Sequence, residues 1–483
     1  MAALAALSAS AVWYFYSNGW LQWYGDAEAH LDNARRIFDS RHPGYDQIGS
    51  PWLPLPHVVL LPFVRVDRLW QSGLAAAFPS AVFFVLGGVF LFAAVRRIFD
   101  STPAGLAATA LVALNPNLLY LQSTSMTEAI FFGCFMALLY CTVRGWAAAA
   151  GITALACTLT RYEGWFLLPF VALYFLRRGG LRAAVVFSVI AGAGPVYWLF
   201  HNWYLSNDAL DFFRGKSSAK AIQGDAVYAG KDNWRVAFYY YRHAVQLCAG
   251  PVLVALAIAG AVAALARRAF WPLLLLAMPA VFYVWSVHSS GLPIHMPHLW
   301  PHGWYNTRYG LAALPLLAFA AASIVAIVPA RGQSAAAATV VLAVSLWWLA
   351  PPHPDRWITW AESRANSTAR REWTSEAAEF LSRRYVRGSG ILTSWGDLTG
   401  IYRRMGIPFQ ETFNVCDGLP FEAAIRRPDL HLHEEWAVVQ QDDEVDRALR
   451  LAARSGVIYE LEKTIRKPNE KAVLIYHRTK GPR

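Results

Sequence analysis

Long apolar stretches recur along most of this 483-residue sequence, and they restrict its fold more than any other feature. A membrane-spanning helix needs about 20 consecutive, mainly apolar residues. Nine stretches come near that length and two are shorter, which predicts a mainly α, polytopic membrane protein of about 11 transmembrane helices. The long stretches are 3–22, 75–95, 103–121, 126–143, 183–204, 244–266, 270–288, 309–329 and 335–351, and the short ones are 146–160 and 164–177.

The composition changes near residue 352. Only 16% of all residues are charged, against roughly 25% in soluble proteins, but charged residues are much denser after this point. Helix-like patterns at 370–385 and 443–455 alternate with four strand-like runs. We therefore predict a transmembrane domain at 1–351 and a soluble α/β domain at 352–483. The strand-like runs are 390–394, 436–440, 457–461 and 472–476.

Arginines between the apolar stretches predict the orientation in the membrane, because positively charged loops stay cytoplasmic. If all eleven stretches span, the inner connections carry nine arginines and one acid, Asp100. The outer side then receives the loops 23–74, 205–243 and 289–308 and the C-terminal domain. The arginines are Arg96, Arg97, Arg144, Arg177, Arg178, Arg182, Arg267, Arg268 and Arg331.

The net charge of +11 does not indicate a nucleic-acid-binding protein. Such proteins cluster their cations on one face or along one helix, whereas here the cations are dispersed in short groups between apolar stretches. Membrane topology explains this distribution better.

The first outer loop contains Asp26 and Glu28 in the run Trp23-Tyr-Gly-Asp-Ala-Glu, at the start of an amphipathic helix. A carboxylate within hydrogen-bond reach of a hydroxyl can take its proton as that hydroxyl attacks a sugar, so Asp26 is a candidate base. Alternatively, Asp26 is a helix N-cap and Glu28 is favoured by the helix dipole. The two interpretations are compatible.

A turn at Thr160-Arg161-Tyr162-Glu163 joins the two short apolar stretches. Helices of that length cover only about 22 Å of a core of about 30 Å, so we expect the turn to be recessed below the outer surface. Ionisable residues at such depth line a cavity or pair with each other. Arg161 and Glu163 are therefore either a structural ion pair or part of a binding site for an anionic head group.

Two outer residues have both a functional and a structural interpretation. His57 ends the run Trp52-Leu-Pro-Leu-Pro-His, where it either contacts a phosphate or is structural. Glu128 begins a span, where it either binds substrate or forms a capping box with Ser125.

Cations on the predicted outer side run against the usual charge bias. Lys216, Lys220 and Lys231 lie in the loop 205–243, and Arg308 opens a span. Lysine binds phosphate as a mobile point charge, and arginine binds it bidentately. Capture of a lipid-linked phosphate explains these residues, and so does non-specific attraction to anionic lipids.

The segment that begins at His288 and ends at His302 contains four histidines, and the two inner ones are His295 and His298. Their spacing allows two or three imidazoles on one metal ion. The intervening prolines make no regular ligand geometry predictable. A divalent metal bound by His295, His298 and His302 is thus a weaker alternative to a site without metal.

The order of these motifs resembles a known class. The motifs are Tyr24-Gly-Asp26-Ala-Glu28, Trp52-Leu-Pro-Leu-Pro-His57, Thr127-Glu128, Thr160-Arg-Tyr-Glu163 and Asn306-Thr-Arg308-Tyr309. Together they resemble the GT-C membrane glycosyltransferases over about residues 1–330, most closely the family 39 protein O-mannosyltransferases and lipid A aminoarabinose transferases.

The resemblance implies inverting transfer of a sugar from a polyprenyl-phosphate donor to an acceptor on the outer face, usually without a metal. It implies that Asp26 is the base and that Arg161, Arg308 and the loop lysines bind the donor phosphate. The adjacent Asp-Glu pair common in that family is Asp-Ala-Glu here, which leaves Asp26 and Glu28 as alternative bases.

The resulting prediction is a glycosyltransferase of the cell envelope, in a bacterial-type inner membrane. Its expected partners are a polyprenyl-phosphate sugar donor, a glycan, lipid or protein acceptor, and membrane lipids, with no cofactor and no nucleic acid. His57, Glu128, Glu163 and Tyr309 are expected to contact substrate. The alternatives are a secondary transporter or lipid flippase, and a metal-dependent GT-C enzyme.

Overall fold

The computed structural model describes residues 1–349 and 356–480, which are mainly helical. The α-helices are α1 (Ala2–Ser17), α2 (Gly25–Arg36), α3 (Leu55–Val64), α4 (Asp67–Ser72), α5 (Leu74–Phe99), α6 (Thr102–Ala113), α7 (Pro116–Leu121), α8 (Glu128–Arg144), α9 (Ala147–Thr158), α10 (Glu163–Ser206), α11 (Asp211–Arg214), α12 (Ala219–Gln223), α13 (Trp234–Ala249), α14 (Pro251–Ala266), α15 (Phe270–Ser289), α16 (Leu314–Ile327), α17 (Gln333–Leu349), α18 (Ile358–Ser382), α19 (Thr399–Met405), α20 (Leu419–Arg426), α21 (Pro428–His431) and α22 (Glu444–Ala453). The strands are β1 (Ile391–Thr393), β2 (Thr412–Phe413), β3 (Trp436–Gln440), β4 (Ile458–Ile465) and β5 (Val473–Lys480).

The chain divides into two compact units. Unit 1 comprises Met1–Trp20, Ser50–Val59 and Ala77–Ser363, and unit 2 comprises Leu21–Gly49, Leu60–Ala76 and Arg364–Arg483. The predicted domain boundary between residues 351 and 352 lies outside the described residues. The division into domains at that point therefore stays a prediction.

Apolar helices dominate unit 1. In the described residues, five helical segments are long and apolar enough to cross a membrane, or six if one bent pair counts as a single span. Four apolar helices are shorter: α1, α3, α6 and α9. The chain is thus a mainly α, multi-pass membrane protein, and the predicted count of about 11 spans is not confirmed. The five segments are Leu74–Phe99, Glu163–Ser206, Phe270–Ser289, Thr307–Ile327 and Ala330–Leu349.

Helix α10 is broken at Gly180, where φ is 75° and ψ is −177°. A residue with a side chain rarely adopts this φ, so glycine permits the break. It lies beside the exposed residues Arg177, Arg178 and Arg182, at the connection that the sequence predicts between two apolar stretches.

The apolar stretch 244–266, which the sequence predicts as one span, is not a single straight helix. It is divided between α13 and α14, which are bent by 109° relative to each other. Gly250 has a φ of 84°, and Pro251 is the first residue of α14. Proline has no backbone N–H to continue the hydrogen bonding of α13, and it is well suited to the first position of a helix.

Unit 2 contains a mixed five-stranded sheet in the order β2-β1-β3-β5-β4. Strands β2, β1 and β3 are parallel, whereas β5 is antiparallel to both β3 and β4. Four of these strands, all except the two-residue β2, occur where the sequence predicts strands. Of the two predicted helices, 443–455 corresponds to α22, and 370–385 is the second half of the longer α18.

Successive side chains of the strands pack into two different cores, one on each face of this sheet. Trp436 and Val438 of β3 belong to a core that includes Leu381 of α18 and Leu31 of α2. The neighbouring residues of β3, Ala437 and Val439, belong to a second core with residues of α20 and α22. Side chains alternate between faces along a strand, so the sheet has helices packed on both sides.

One carboxylate of α2, Asp32, is buried among the packed residues of unit 2, with 2% exposure. Burial raises its pKa from 3.8 to about 6, while Arg403 and a hydrogen bond from Thr399 act in the opposite direction. The indole Nε1 of Trp70 donates a hydrogen bond to Asp32 Oδ1 at 3.1 Å. The folded state therefore holds the Asp32 proton more tightly than the unfolded state does.

We expect replacement of Asp32 by Asn to stabilise the protein at neutral pH. Because the folded pKa is raised, the favourable contribution of Asp32 is complete below pH 3.8 and is lost as the pH rises through about 6. A shift of this size corresponds to about 3 kcal/mol at neutral pH. Thermal unfolding in detergent between pH 4 and pH 8 measures the difference between the Asp32→Asn variant and wild type.

The exposed Asp46 provides the matched control, because Asp46→Asn makes the same chemical change at the surface. Its unfolding profile should follow that of the wild type over the whole range. A constant difference between Asp32→Asn and wild type, independent of pH, would contradict this account of Asp32.

Candidate functional site

Five charged side chains lie close together in unit 1, although they come from distant parts of the chain. Glu128 is the first residue of α8, Arg161 lies in the turn before α10, and Glu163 is the first residue of α10. Arg308 belongs to the 3₁₀ helix Thr307–Ala313, and Glu362 belongs to α18. Their side chains are between 1% and 14% exposed. We call these five residues the charged cluster.

Arg161 makes the densest set of contacts in the charged cluster. Its Nε lies 2.5 Å from Glu163 Oε1, and its Nη1 donates to Thr127 Oγ1 at 2.5 Å. Its Nη2 donates to the hydroxyl of Tyr283, which in turn donates to Glu163 Oε1 at 2.9 Å. Hydrogen bonds between charged partners are short and strong, so this network fixes the guanidinium.

Arg308 is paired with Glu362, whose side chain is 1% exposed. Arg308 Nη1 lies 3.5 Å from Glu362 Oε1. The other carboxylate oxygen, Oε2, accepts a hydrogen bond from the backbone N–H of Thr307 at 2.8 Å and another from the Thr307 hydroxyl. Glu362 thereby ties the start of the 3₁₀ helix, and Arg308 with it, to α18.

Glu128 lies between the two arginines. Its Oε1 is 3.1 Å from Arg161 Nη1 and 3.4 Å from Arg308 Nε. Both of its carboxylate oxygens are buried, and neither accepts a hydrogen bond from the described residues. The N-cap of α8 is Thr127, so the predicted capping box between Ser125 and Glu128 is wrong.

A small, mainly apolar cavity of about 40 Å³ borders the charged cluster in unit 1. Glu128, Arg161 and Glu163 line it at one side together with Tyr283 and Tyr309. The rings of Tyr283 and Tyr309 stack with centroids 4.4 Å apart, and Arg308 Cζ lies 5.2 Å from the Tyr309 centroid. The apolar lining residues are Val112, Leu118, Phe131, Phe132, Phe135, Leu311, Ala312, Leu314 and Pro315. A charged region and an apolar region are thus continuous in one cavity.

Other predicted donor-binding residues lie elsewhere in unit 1. Lys216, Lys220 and Lys231 are exposed on the segment between α10 and α13, and Lys220 Nζ lies 5.6 Å from the Phe213 ring centroid. His57 is fully buried in α3, with its ring centroid 6.3 Å from that of Trp52. Their roles in substrate binding stay predictions.

The predicted histidine metal site is not assembled. His302 Nδ1 is 3.0 Å from the Pro297 carbonyl oxygen, the His295 ring neighbours Tyr305, and the His298 ring neighbours His243. Among residues 1–349 and 356–480, no group of three His, Cys, Asp or Glu side chains is arranged to hold a metal.

Asp26 and Glu28 lie in the first turn of α2, in unit 2, and their surroundings differ. Glu28 is bound by two arginines: its Oε2 is 3.2 Å from Arg370 Nε, and its Oε1 accepts a hydrogen bond from Arg403 Nη2. The N-cap of α2 is Tyr24, so the predicted N-cap role of Asp26 is wrong.

Asp26 lines a polar cleft of about 710 Å³ in unit 2. Ser394 and Trp395 follow β1 in this cleft, and Asp442 follows β3. Ligands of open α/β sheets commonly bind beyond the carboxyl ends of parallel strands, which is where these residues lie. The remaining lining residues are Gly25, Glu28, Ala29, Gly396, Asp397, Thr399, Gln440, Asp443, Glu444, Arg447 and Lys471.

Sequence reasoning missed four residues that complete these arrangements. Tyr283 lies in an apolar stretch with other aromatic residues, and no feature of the sequence distinguishes it. Glu362 lies after the rise in charge density, where it looks like a surface residue of the predicted soluble domain. Arg370 and Arg403 are two among many arginines of the C-terminal part, and only the fold brings them to Glu28.

Comparison with known proteins gives a structural likeness. No model of a known protein family matches the chain, and no curated protein sequence matches it. It is similar to the crystal structure of ArnT from Cupriavidus metallidurans bound to undecaprenyl phosphate, with 13% identity, 97% coverage of both chains and a TM-score of 0.62. For ArnT in the apo state, the identity is 14%, the coverage of both chains is 93%, and the TM-score is 0.56. At this identity the likeness shows the fold alone, and the chain therefore has the same fold as the ArnT structures, in agreement with the resemblance of its motifs.

Proposed function

We propose that the chain is an inverting membrane glycosyltransferase that moves a sugar from a polyprenyl-phosphate donor to a hydroxyl acceptor. The observation that carries this proposal is the pair of buried arginines, Arg161 and Arg308, beside an apolar cavity. A lipid-linked phosphate has an anionic head and an apolar chain; the arginines match the charge of the head, and the apolar lining residues match the chemistry of the chain. The undecaprenyl phosphate bound to ArnT, which has the same fold, supports a donor of this class.

The two arginines act on the leaving group in this proposal. When the bond between the anomeric carbon and the phosphate oxygen breaks, the electron pair stays on the lipid phosphate. Positive charge fixed beside that phosphate stabilises the charge as it develops. Glu163 and Tyr309 line the same cavity, which supports contacts of these residues with the donor.

Asp26 is the base that we propose for the acceptor. As the acceptor oxygen forms its bond to the anomeric carbon, its proton passes to the Asp26 carboxylate. Glu28 is less suited to this role, because both of its oxygens are bound to arginines. The cleft lined by Asp26 has hydroxyl, carboxylate and indole groups, which supports a polar acceptor such as a glycan.

The proposed location is a bacterial-type inner membrane, with unit 2 and the long loops on the outer side. The nine arginines of the predicted inner connections are all exposed at helix ends or between helices, which supports this orientation. The lysines of the segment between α10 and α13 are proposed to contact the donor head group.

Purified protein in proteoliposomes with a radiolabelled polyprenyl-phosphate sugar tests the function. Transfer of label to an added acceptor extract is the expected result, with release of lipid phosphate. Translocation of the lipid-linked sugar without its consumption would instead indicate a transporter or flippase. The same assay with EDTA measures whether a divalent metal takes part.

Replacement of Arg308 by Lys should weaken use of the lipid donor. Lysine keeps the charge but loses the planar, bidentate geometry of the guanidinium. A charge-assisted hydrogen bond contributes about 1.5–3 kcal/mol, so kcat/KM for the donor should fall by roughly tenfold to a hundredfold. Steady-state transfer at varied donor concentration measures the change.

The control is Arg331→Lys, the same substitution at an exposed arginine between α16 and α17. Its kcat/KM should equal that of the wild type. Equal losses in both variants would mean that the effect is not specific to Arg308, and the donor assignment would then be wrong.

Replacement of Asp26 by Asn should abolish most of the transfer without preventing donor binding. General base catalysis contributes about a hundredfold to ten-thousandfold to the rate, and an amide cannot take the proton. The measurement is kcat in the same assay, together with the affinity for undecaprenyl phosphate, which should not change.

Glu28→Gln separates the two candidate bases. Glu28 is the counter-charge of the buried Arg370 and Arg403. Replacing it by Gln should therefore lower the thermal unfolding temperature. The folded protein should keep far more activity than Asp26→Asn. The opposite order of activities would assign the base to Glu28.

A further inference from the structure

Glu128 differs from the other two carboxylates of the charged cluster in how it is held. Glu163 is bound by Arg161 Nε and the Tyr283 hydroxyl, and Glu362 by the Thr307 backbone and side chain. Both oxygens of Glu128 are buried, yet neither accepts a hydrogen bond from the described residues. Only the charges of the two arginines hold it.

The distances of Glu128 from the two arginines are those of ion pairs without directed hydrogen bonds. Hydrogen bonds between a guanidinium and a carboxylate are typically about 2.7–2.9 Å long, whereas Glu128 Oε1 lies 3.1 Å from Arg161 and 3.4 Å from Arg308. The carboxylate thus neutralises both guanidinium groups without occupying their directed hydrogen bonds. Of the three acids, Glu128 is the one whose removal breaks the fewest hydrogen bonds.

The charges of the cluster explain why an anionic ligand would displace Glu128 from the two arginines. Three carboxylates face two guanidinium groups. A phosphate that approached both arginines would meet Glu128 between them, and like charges at short distance repel strongly away from water. Phosphate and Glu128 therefore compete for the same two cations.

We propose that Glu128 is a displaceable counter-ion, which occupies the position between Arg161 and Arg308 and leaves it when a lipid phosphate binds. This inference rests on the proposed function, because it concerns the same donor phosphate. Glu128 returns to the arginines as the lipid phosphate departs, so it weakens the binding of this product and promotes its release. The role differs from direct contact with the donor sugar, in which Glu128 would strengthen binding.

The test is the affinity of purified full-length protein for farnesyl phosphate, a short-chain polyprenyl monophosphate, with farnesol as the probe that lacks the phosphate. Glu128→Gln should bind farnesyl phosphate about tenfold more tightly than wild type, a change of about 1.4 kcal/mol. Farnesol binding should not change. In the transfer assay, added undecaprenyl phosphate should inhibit Glu128→Gln at correspondingly lower concentration.

Two further variants separate competition from a general effect of charge. Glu163→Gln removes the same charge from the same cluster, but Glu163 is held by directed hydrogen bonds and is not proposed to move. The affinity of this variant for farnesyl phosphate should therefore not increase. Glu128→Asp keeps the charge but shortens the side chain by one methylene group, so the carboxylate reaches the two arginines less well. Glu128→Asp should bind farnesyl phosphate more tightly than wild type does. If Glu128→Gln does not fold, Glu128→Asp provides the test in its place.

The outcomes distinguish this inference from the proposed function. If wild type binds farnesyl phosphate in preference to farnesol while both Glu128 variants bind it equally or more weakly, the counter-ion role is overturned and the donor assignment stands. Equal tightening by Glu163→Gln and Glu128→Gln also overturns it, since charge alone would then explain the effect. If no variant prefers farnesyl phosphate to farnesol, both the inference and the donor assignment are wrong.

Discussion

The buried guanidinium of Arg161 must be neutralised, and the residues that do so come from several helices of unit 1. An arginine among apolar helices is costly unless its charge is paired and its donors are satisfied. Here the partners come from the start of α8, the start of α10 and the middle of α15. The single side chain of Arg161 thus connects the starts of α8 and α10 with α15, which begins more than a hundred residues later.

The two units carry complementary chemistry within one chain. Unit 1 holds arginines beside an apolar cavity, which suits the anionic and lipid parts of a donor. Unit 2 holds a carboxylate in a polar cleft, which suits a hydroxyl acceptor. Transfer of a sugar from a phosphate requires positive charge for the leaving group and a base for the nucleophile.

The sequence predicted those features that depend on local patterns. Long apolar stretches indicated the membrane class, short apolar runs indicated strands such as β3, and a charged turn between short apolar stretches singled out Arg161 and Glu163. Features that depend on a single backbone angle or on distant partners were missed. The stretch 244–266 is uniformly apolar, and its bend arises from Gly250 and Pro251, which hydropathy does not detect.

The same reasoning explains the errors at α2 and α8. Asp26 and the Ser125-x-x-Glu128 run fit local rules for helix starts, but the helices begin at other residues. Glu28 and Glu128 are held instead by arginines that are distant in sequence. The electrostatics of buried groups outweigh local capping preferences, because an unpaired buried charge costs more than a cap contributes.

The position of Glu362 limits where the C-terminal portion could be exchanged for another. By composition, the C-terminal portion begins near residue 352 and resembles a separable module. The contacts give a different division: Glu362, near the start of α18, accepts a hydrogen bond from Thr307 and provides the counter-charge of Arg308. A recombination that joined the membrane portion to a new C-terminal module at the composition change would leave Arg308 without this carboxylate. A replacement of the C-terminal portion that preserves this ion pair must therefore keep the chain at least through Glu362.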